Sequence, residues 1–139
     1  MIHLVADLMT PAPLAIKADN TLHDAHNLMK EKNIRHIPVI NENGALVGML
    51  TQKILIAQVM GIMANYSSTA LERKEKQTKV LDIMATDFTS IEPEQPLHEV
   101  ANFFVENRHG CMPVVDKDNN LVGILTSSDF VRLAAALLS

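Results

Sequence analysis

The chain contains one segment twice. Residues 5–56 align with residues 80–131 without a gap, each position pairing with the one 75 later, and 15 of the 52 pairs are identical. A segment repeated at a fixed offset predicts two similar substructures related by an approximate two-fold axis. We therefore divide the chain into a first repeat over residues 1–56, a connecting segment over 57–79 and a second repeat over 80–139. Whatever fold one copy adopts, the other must also be able to adopt.

Within a copy, the pattern predicts a short extended segment, a helix, a two-stranded hairpin and a second helix. Asn20 or Thr21 can cap the first helix, whose apolar side chains recur at three-to-four spacing. Two apolar strands, 36–40 and 46–50, flank a polar turn, and the last helices begin after Thr51 and Thr126. This order predicts an α+β fold with β-α-β-β-α repeats. A sheet covered by helices on one face leaves the other open, so we expect the copies to pack sheet to sheet.

Proline and glycine mark special positions in the predicted strands. Pro38 and Pro113 cannot donate to a strand ladder, so each is expected at the start of its strand or at a sheet edge. Gly48 and Gly123 fall inside strands, where glycine indicates either a bulge or the close approach of a ligand or another backbone segment. The residues alone do not decide between these two interpretations.

Charge and composition exclude several classes of protein. Of the net charge of −4, the segment 80–139 carries −6, from nine acidic and three basic residues, and only 4% of the chain is aromatic. A nucleic-acid surface needs clustered basic residues or stacking rings, so we expect no nucleic-acid partner. There is no uninterrupted apolar run of about 18 residues and no basic and apolar leader, so we expect no membrane span and a cytoplasmic protein.

The connecting segment and the last helix are candidate contact surfaces, not candidate catalytic or ligand-binding sites. Residues 57–79 are expected to extend the preceding helix and then return, with the basic stretch 73–76 as a solvated face; contact with a partner is the alternative. The apolar stretch 130–138 carries more hydrophobic surface than one side of a helix can bury. It predicts self-association.

Catalytic and metal-binding patterns are weak. His23 and His26 stand one turn apart, and His98 repeats His23, but no Cys or Glu partner completes a zinc pattern. Cys111, which has no second cysteine to pair with, lacks an evident His and Asp framework for a nucleophile. We therefore expect no metal site and no enzymatic activity.

The two hairpins carry a family resemblance. The stretch "IRHIPVINENGALVGMLT" in the first copy and "HGCMPVVDKDNNLVGILTSSD" in the second resemble a tandem pair of CBS (cystathionine β-synthase) domains. The resemblance implies a regulatory module that holds an adenine nucleotide (AMP, ADP or ATP) or S-adenosylmethionine in clefts between the repeats and requires no cofactor. It also implies a homodimer and an unidentified protein target.

The resemblance assigns ligand-binding residues to the first cleft. Helix capping alone explains Thr126 and Asp129, since a carboxylate three positions after the cap can accept from the cap amide. In related modules, however, the matching aspartate contacts the ribose, and Arg35 and His36 suit phosphate. The implied set is Arg35, His36, Ile37, Pro38, Thr126, Ser127, Ser128 and Asp129.

The second cleft is expected to be weaker. Its implied residues are Thr51, Gln52, His109, Gly110, Cys111, Met112 and Pro113. Ile54 stands where the second repeat has Asp129, so a ribose hydroxyl there loses its acceptor. We expect one competent site and one weak or empty site per chain.

Three functions remain open from the sequence. A nucleotide-sensing regulatory module is stabilised by adenine ligands, whereas a ligand-free dimerisation or partner-docking module is not. A hydrolase using Asp129 or Cys111 releases product over time. The first of these is our working hypothesis.

Overall fold

The computed structural model describes residues 2–107 and 110–139. The helices are α1 (Val5–Leu8), α2 (Leu22–Lys32), α3 (Gln52–Asn65), α4 (Leu71–Gln77), α5 (Val80–Ile83), α6 (Leu97–Asn107) and α7 (Ser127–Leu138). The strands are β1 (Thr10–Pro11), β2 (Ile16–Lys17), β3 (His36–Ile40), β4 (Leu46–Thr51), β5 (Cys111–Val115) and β6 (Leu121–Thr126). Within these described ranges, no helix has the length and apolar character needed to cross a bilayer.

The predicted helix starts and hairpins are confirmed. Thr21 caps α2, with the Asp24 amide donating to its hydroxyl at 3.2 Å, and Thr51 caps α3 in the same way through the Ile54 amide. Both hairpins begin at the predicted residues. The α+β fold class is therefore correct, and two three-stranded sheets are present.

The chain folds into two compact units that differ from the sequence repeats. One unit spans Leu14–Phe88 and contains the sheet of order β2-β3-β4; the other spans Met1–Pro13 with Thr89–Ser139 and contains the sheet of order β1-β6-β5. Each has its own apolar core. The first is built on Leu22, Ile37, Val39, Leu50 and Val80. The second is built on Val5, Met112, Val114, Leu125 and Phe104.

The leading segment of each repeat lies in the unit that holds the hairpin of the other repeat. Strand β1, from the first repeat, pairs antiparallel with β6 of the second, Thr10 lying opposite Ile124. Ala85, which follows α5, exchanges two backbone hydrogen bonds with Met49 in β4, at 2.9 and 2.8 Å. Each hairpin is therefore completed by the leading segment of the other copy.

Gly48 and Gly123 make this arrangement possible. A Cβ atom on Gly48 would lie 2.4 Å from Met84 Sδ and 3.1 Å from the Ala85 carbonyl oxygen. One on Gly123 would lie 2.4 Å from Met9 Sδ and 3.1 Å from the Thr10 carbonyl oxygen. Both hairpins also contain a register shift beside the glycine. Each glycine therefore lies beside a bulge and also permits a close approach. The group that approaches it is the leading segment of the other repeat.

The expectation for Pro38 was wrong. It is the third residue of β3, which is the central strand of its sheet. It lies opposite Met49, whose backbone bonds instead to Ala85, and the ladder with β2 begins only at Val39. The missing N–H therefore breaks no ladder bond, which is why proline is tolerated in a central strand.

The connecting segment forms a packed helix rather than a wholly solvated face. Helix α3 extends to Asn65, a 3₁₀ turn spans Ser68–Ala70, and α4 packs against α2. Glu75 of α4 is only 2% exposed, and its carboxylate oxygens lie 2.9 and 3.1 Å from His26 Nδ1. The solvated interpretation holds for Arg73 and Lys76 and fails at Glu75. The reason is that α2 presents imidazole groups to this carboxylate.

Replacing Gly48 with Ala is expected to lower the free energy of unfolding by about 1 to 3 kcal/mol, because the added methyl group forces Met84 and the Ala85 backbone to move. Urea unfolding measures this change. Gly61→Ala is the control: apart from its chain neighbours and the backbone of helix α3, no atom lies within 4 Å of the added Cβ, so it should stabilise by about 0.5 to 1 kcal/mol. Equal effects of the two substitutions would contradict the close-contact account.

Removing the Glu75 carboxylate is expected to cost about 1 to 3 kcal/mol in Glu75→Ala, because His26 loses its charged partner at a buried position. Glu72→Ala on the same helix removes an exposed carboxylate that contacts Lys76 and His23 at 3.5 and 3.8 Å. Its cost should stay within about 0.5 kcal/mol. Chemical denaturation of both variants distinguishes a buried anchor from a surface pair.

Candidate ligand-binding site

Asp129 lies at the start of α7 and is 5% exposed. The Thr126 backbone amide donates to its Oδ2 at 2.8 Å, and the Thr126 hydroxyl donates to the same oxygen at 3.2 Å. The return bond to the cap amide that the sequence predicts is therefore present. A buried carboxylate is held in a fixed orientation at the positive end of a helix.

The other carboxylate oxygen of Asp129 has a partner that the sequence argument missed. The guanidinium of Arg132, one turn further along α7, donates to Oδ1, while the Arg132 side chain stays 70% exposed. The contact of Asp129 with Arg132 could have been predicted from the sequence, because residues three apart on a helix are neighbours. Arg132 lies just beyond the repeated segment, so comparison of the two repeats does not include it.

The start of β5 completes this region of the unit. Cys111 lies opposite Thr126 in the hairpin register, and the Ser127 amide donates to the Gly110 carbonyl oxygen at 3.0 Å. Burial, together with the negative charge of Asp129, raises the pKa of the Cys111 thiol to about 12. The thiol is therefore protonated at neutral pH and is not an activated nucleophile.

The unit of the first hairpin has the same backbone geometry with different side chains. His36 lies opposite Thr51, and the Gln52 amide donates to the Arg35 carbonyl oxygen at 2.8 Å. Ile54, at the position of Asp129, packs against the apolar core. Burial and the neighbouring Arg35 lower the pKa of His36, so this side chain is a neutral imidazole at pH 7. At this turn, Arg35 is basic, His36 is neutral, and an isoleucine stands where the other unit has Asp129.

The predicted residues are thus grouped by unit. The described structure joins Gly110 and Cys111 to the Thr126–Asp129 turn, and Arg35 and His36 to Thr51 and Gln52. Ser127 and Ser128 are exposed. The side chains of Ile37, Pro38, Met112 and Pro113 are fully buried. His109 lies outside the described residues, and the pairing of residues across the two repeats stays a prediction.

A second polar cluster lies away from these turns, between α2 and α4. It borders a pocket of about 220 Å³ lined by His23, His26, Asn27, Lys30, Leu71, Glu72 and Glu75. His23 Nδ1 lies 3.7 Å from the Glu75 carboxylate that also contacts His26. Across residues 2–107 and 110–139, no group of three or more His, Cys, Asp or Glu side chains has a geometry that could hold a metal ion. We interpret the cluster as the polar contact that fixes α4 against α2.

Comparison with known proteins identifies the family. The family model for the CBS domain matches residues 5–61 and residues 80–136, which together make up most of the chain. The chain therefore belongs to the CBS domain family and carries two copies of that domain. The resemblance stated from the hairpin sequences is confirmed.

Solved structures of similar sequence share the whole fold. A Vibrio cholerae protein assigned to acetoin utilization (AcuB) is 40% identical with a TM-score of 0.80, over 99% of this chain and 93% of that chain. CBSX2, solved in complex with AMP, is 29% identical with a TM-score of 0.82, over 99% of this chain and 100% of that one. The CBS domain pair of MJ0100, solved with 5′-methylthioadenosine and S-adenosyl-L-methionine, is 26% identical with a TM-score of 0.76, over 98% of each chain.

Larger proteins contain a similar segment. A homoserine O-acetyltransferase of Methanococcoides burtonii is 33% identical over 129 residues, which are 93% of this chain. The chain spans 24% of the length of that relative, so the similarity concerns one part of a longer enzyme.

Because its pKa is about 12, the Cys111 thiol is expected to react with iodoacetamide far more slowly in the native protein than an ordinary cysteine at pH 8. The thiolate fraction should be lower on the order of a thousandfold. Mass spectrometry of the native and urea-unfolded protein checks this, with the unfolded chain as the reactive control. Rapid alkylation of the native protein would contradict the burial of this thiol.

Proposed function

We propose that this protein is a regulatory module that binds an adenosine-containing ligand at the Asp129 turn and transmits the bound state to a partner. The observation that carries the proposal is the buried Asp129 carboxylate, fixed by Thr126 at the start of α7. A carboxylate can accept hydrogen bonds from both hydroxyls of a ribose, and the exposed Ser127 and Ser128 add donors nearby. The AMP complex of CBSX2 and the adenosyl complexes of MJ0100 support this ligand class.

The turn around Thr51 is the weaker of the two sites in this proposal. It keeps the cap threonine and has Arg35 and His36 beside it in the same hairpin, but Ile54 replaces the ribose acceptor. A ribose hydroxyl facing an aliphatic side chain gives up a hydrogen bond, and affinity drops by roughly tenfold to a hundredfold. The proposal therefore assigns one competent adenosyl site to each chain.

Regulation requires a difference between ligand-bound and ligand-free states. A ligand that binds one conformation of the chain more tightly shifts the population toward it, and a partner that recognises that conformation is coupled to the ligand by linkage. No chemical step on the ligand is needed. The 40% identity with the Vibrio cholerae protein makes proteins of acetoin utilization the first candidates for this partner.

Self-association is part of the proposal and is supported by exposed apolar side chains. Helix α3 exposes Ile56, Met60 and Met63 at a spacing of four and three, which places them on one face, and α7 exposes Val131, Leu137 and Leu138. Such side chains are commonly covered in homo-oligomers. Sedimentation equilibrium should give a dimer mass, and a monomer at all concentrations would remove this part of the proposal.

The central test compares Asp129→Asn with Asp118→Asn by calorimetric titration with AMP. Both variants remove one negative charge from the same unit, but Asp118 is an exposed residue of the β5–β6 turn. Asp129→Asn is expected to weaken binding by roughly tenfold to a hundredfold, because one ribose acceptor is lost. Asp118→Asn should bind like the wild type, at one site per chain.

Asp129 also has a structural role, so stability is measured separately. Loss of the cap contact should cost about 0.5 to 2 kcal/mol in urea unfolding without ligand. A variant that is less stable but binds AMP with wild-type affinity when folded would show that Asp129 is only a helix cap. Two equal sites per chain would also refute the assignment.

A further inference from the structure

Arg132 occupies the part of Asp129 that a ribose needs. Oδ2 already accepts two hydrogen bonds from Thr126, whereas Oδ1 accepts from the Arg132 guanidinium. Because Oδ2 already accepts two hydrogen bonds, both ribose hydroxyls need Oδ1, which has two acceptor positions and must give up the one that the guanidinium occupies. The Arg132 side chain is 70% exposed, so it can leave this position without disrupting the core.

At the start of the hairpin on this side, the residues that the structure describes supply no cation, and Lys117 lies in the β5–β6 turn. The positions equivalent to Arg35 and His36 are Gly110 and Cys111, and the Cys111 thiol is neutral. Arg132 is the described basic side chain that contacts Asp129. After displacement the guanidinium stays near the bound nucleoside, because Arg132 lies only one helical turn from Asp129 on α7.

We infer that Arg132 closes the unliganded site by pairing with Asp129 and, on binding, transfers its hydrogen bonds to an anionic group on the 5′ carbon of the ligand. A guanidinium presents a planar pair of N–H donors that matches a phosphate. The preferred ligand is therefore a nucleoside 5′-phosphate such as AMP. Adenosine carries no charge at this position, and S-adenosylmethionine carries a sulfonium cation there. This inference rests on the proposed function and adds the ligand class to it.

Arg132 should have opposite effects on the binding of a nucleoside and of a nucleotide, which a purely structural residue would not have. Adenosine must break the contact between Arg132 and Asp129 and offers the displaced guanidinium no anionic acceptor. A nucleotide breaks the same contact and regains the guanidinium through its phosphate. Removing Arg132 should therefore improve binding of the nucleoside or leave it unchanged, and weaken binding of the nucleotide.

Calorimetric titration of the full chain with adenosine, AMP and S-adenosylmethionine tests this in the wild type, Arg132→Gln and Arg132→Lys. The ratio of the adenosine Kd to the AMP Kd should fall by roughly tenfold to a hundredfold in Arg132→Gln, as expected when a charged hydrogen bond is lost. Arg132→Lys keeps the charge but loses the planar pair of N–H donors. Its ratio of the two Kd values should lie between those of the wild type and Arg132→Gln. Arg73→Gln is the matched control, since Arg73 is exposed on α4 of the other unit, and it should leave the ratio unchanged.

Each contrary outcome identifies what has failed. Equal weakening of adenosine and AMP in Arg132→Gln would make Arg132 a structural residue and overturn the inference. The same change of ratio in Arg73→Gln would reduce the effect to net charge, which also overturns it. AMP binding by the wild type with an unchanged ratio in Arg132→Gln refutes the inference alone. Failure of the wild type to bind any of the three compounds refutes the proposed function and the inference with it.

Discussion

The contact of a methionine with a strand glycine is the constraint on which the rest of the structure depends. Met84 Sδ lies where a side chain on Gly48 would begin, and Met9 Sδ does the same at Gly123. This contact lets the backbone of each leading segment reach its strand, where Ala85 bonds to Met49 and Thr10 lies opposite Ile124. Those strands end at Thr51 and Thr126, which cap the last helices. The position of both candidate sites thus follows from two glycines.

On this shared backbone, a few side chains make the two sites chemically different. The turn at Thr126 holds a buried acid that is paired with Arg132, beside a neutral thiol. The turn at Thr51 holds Arg35 and a neutral His36 beside an aliphatic residue. Because a ribose hydroxyl that faces an aliphatic side chain gives up a hydrogen bond, we propose the turn at Thr126, and not the turn at Thr51, as the adenosyl site.

Local features of this fold were predictable from the sequence, and tertiary ones were not. The caps at Thr21 and Thr51 and the limits of both hairpins depend on neighbouring residues, so periodicity and turn chemistry located them. Which hairpin a leading segment pairs with depends on contacts distant in sequence, and two similar copies give no information about that choice. The burial of Glu75 was missed for the same reason, since His26 lies 49 residues away. The Asp129 cap was predictable from the repeat, whereas its exposed partner Arg132 lies outside the repeated segment.

A crystal structure of the protein grown with AMP tests the central claim most directly. The account predicts one AMP per chain, with both ribose hydroxyls within hydrogen-bonding distance of the Asp129 carboxylate and with Arg132 moved from Oδ1 to the phosphate. AMP bound instead at the Thr51 turn, with Arg132 still on Asp129, would contradict it.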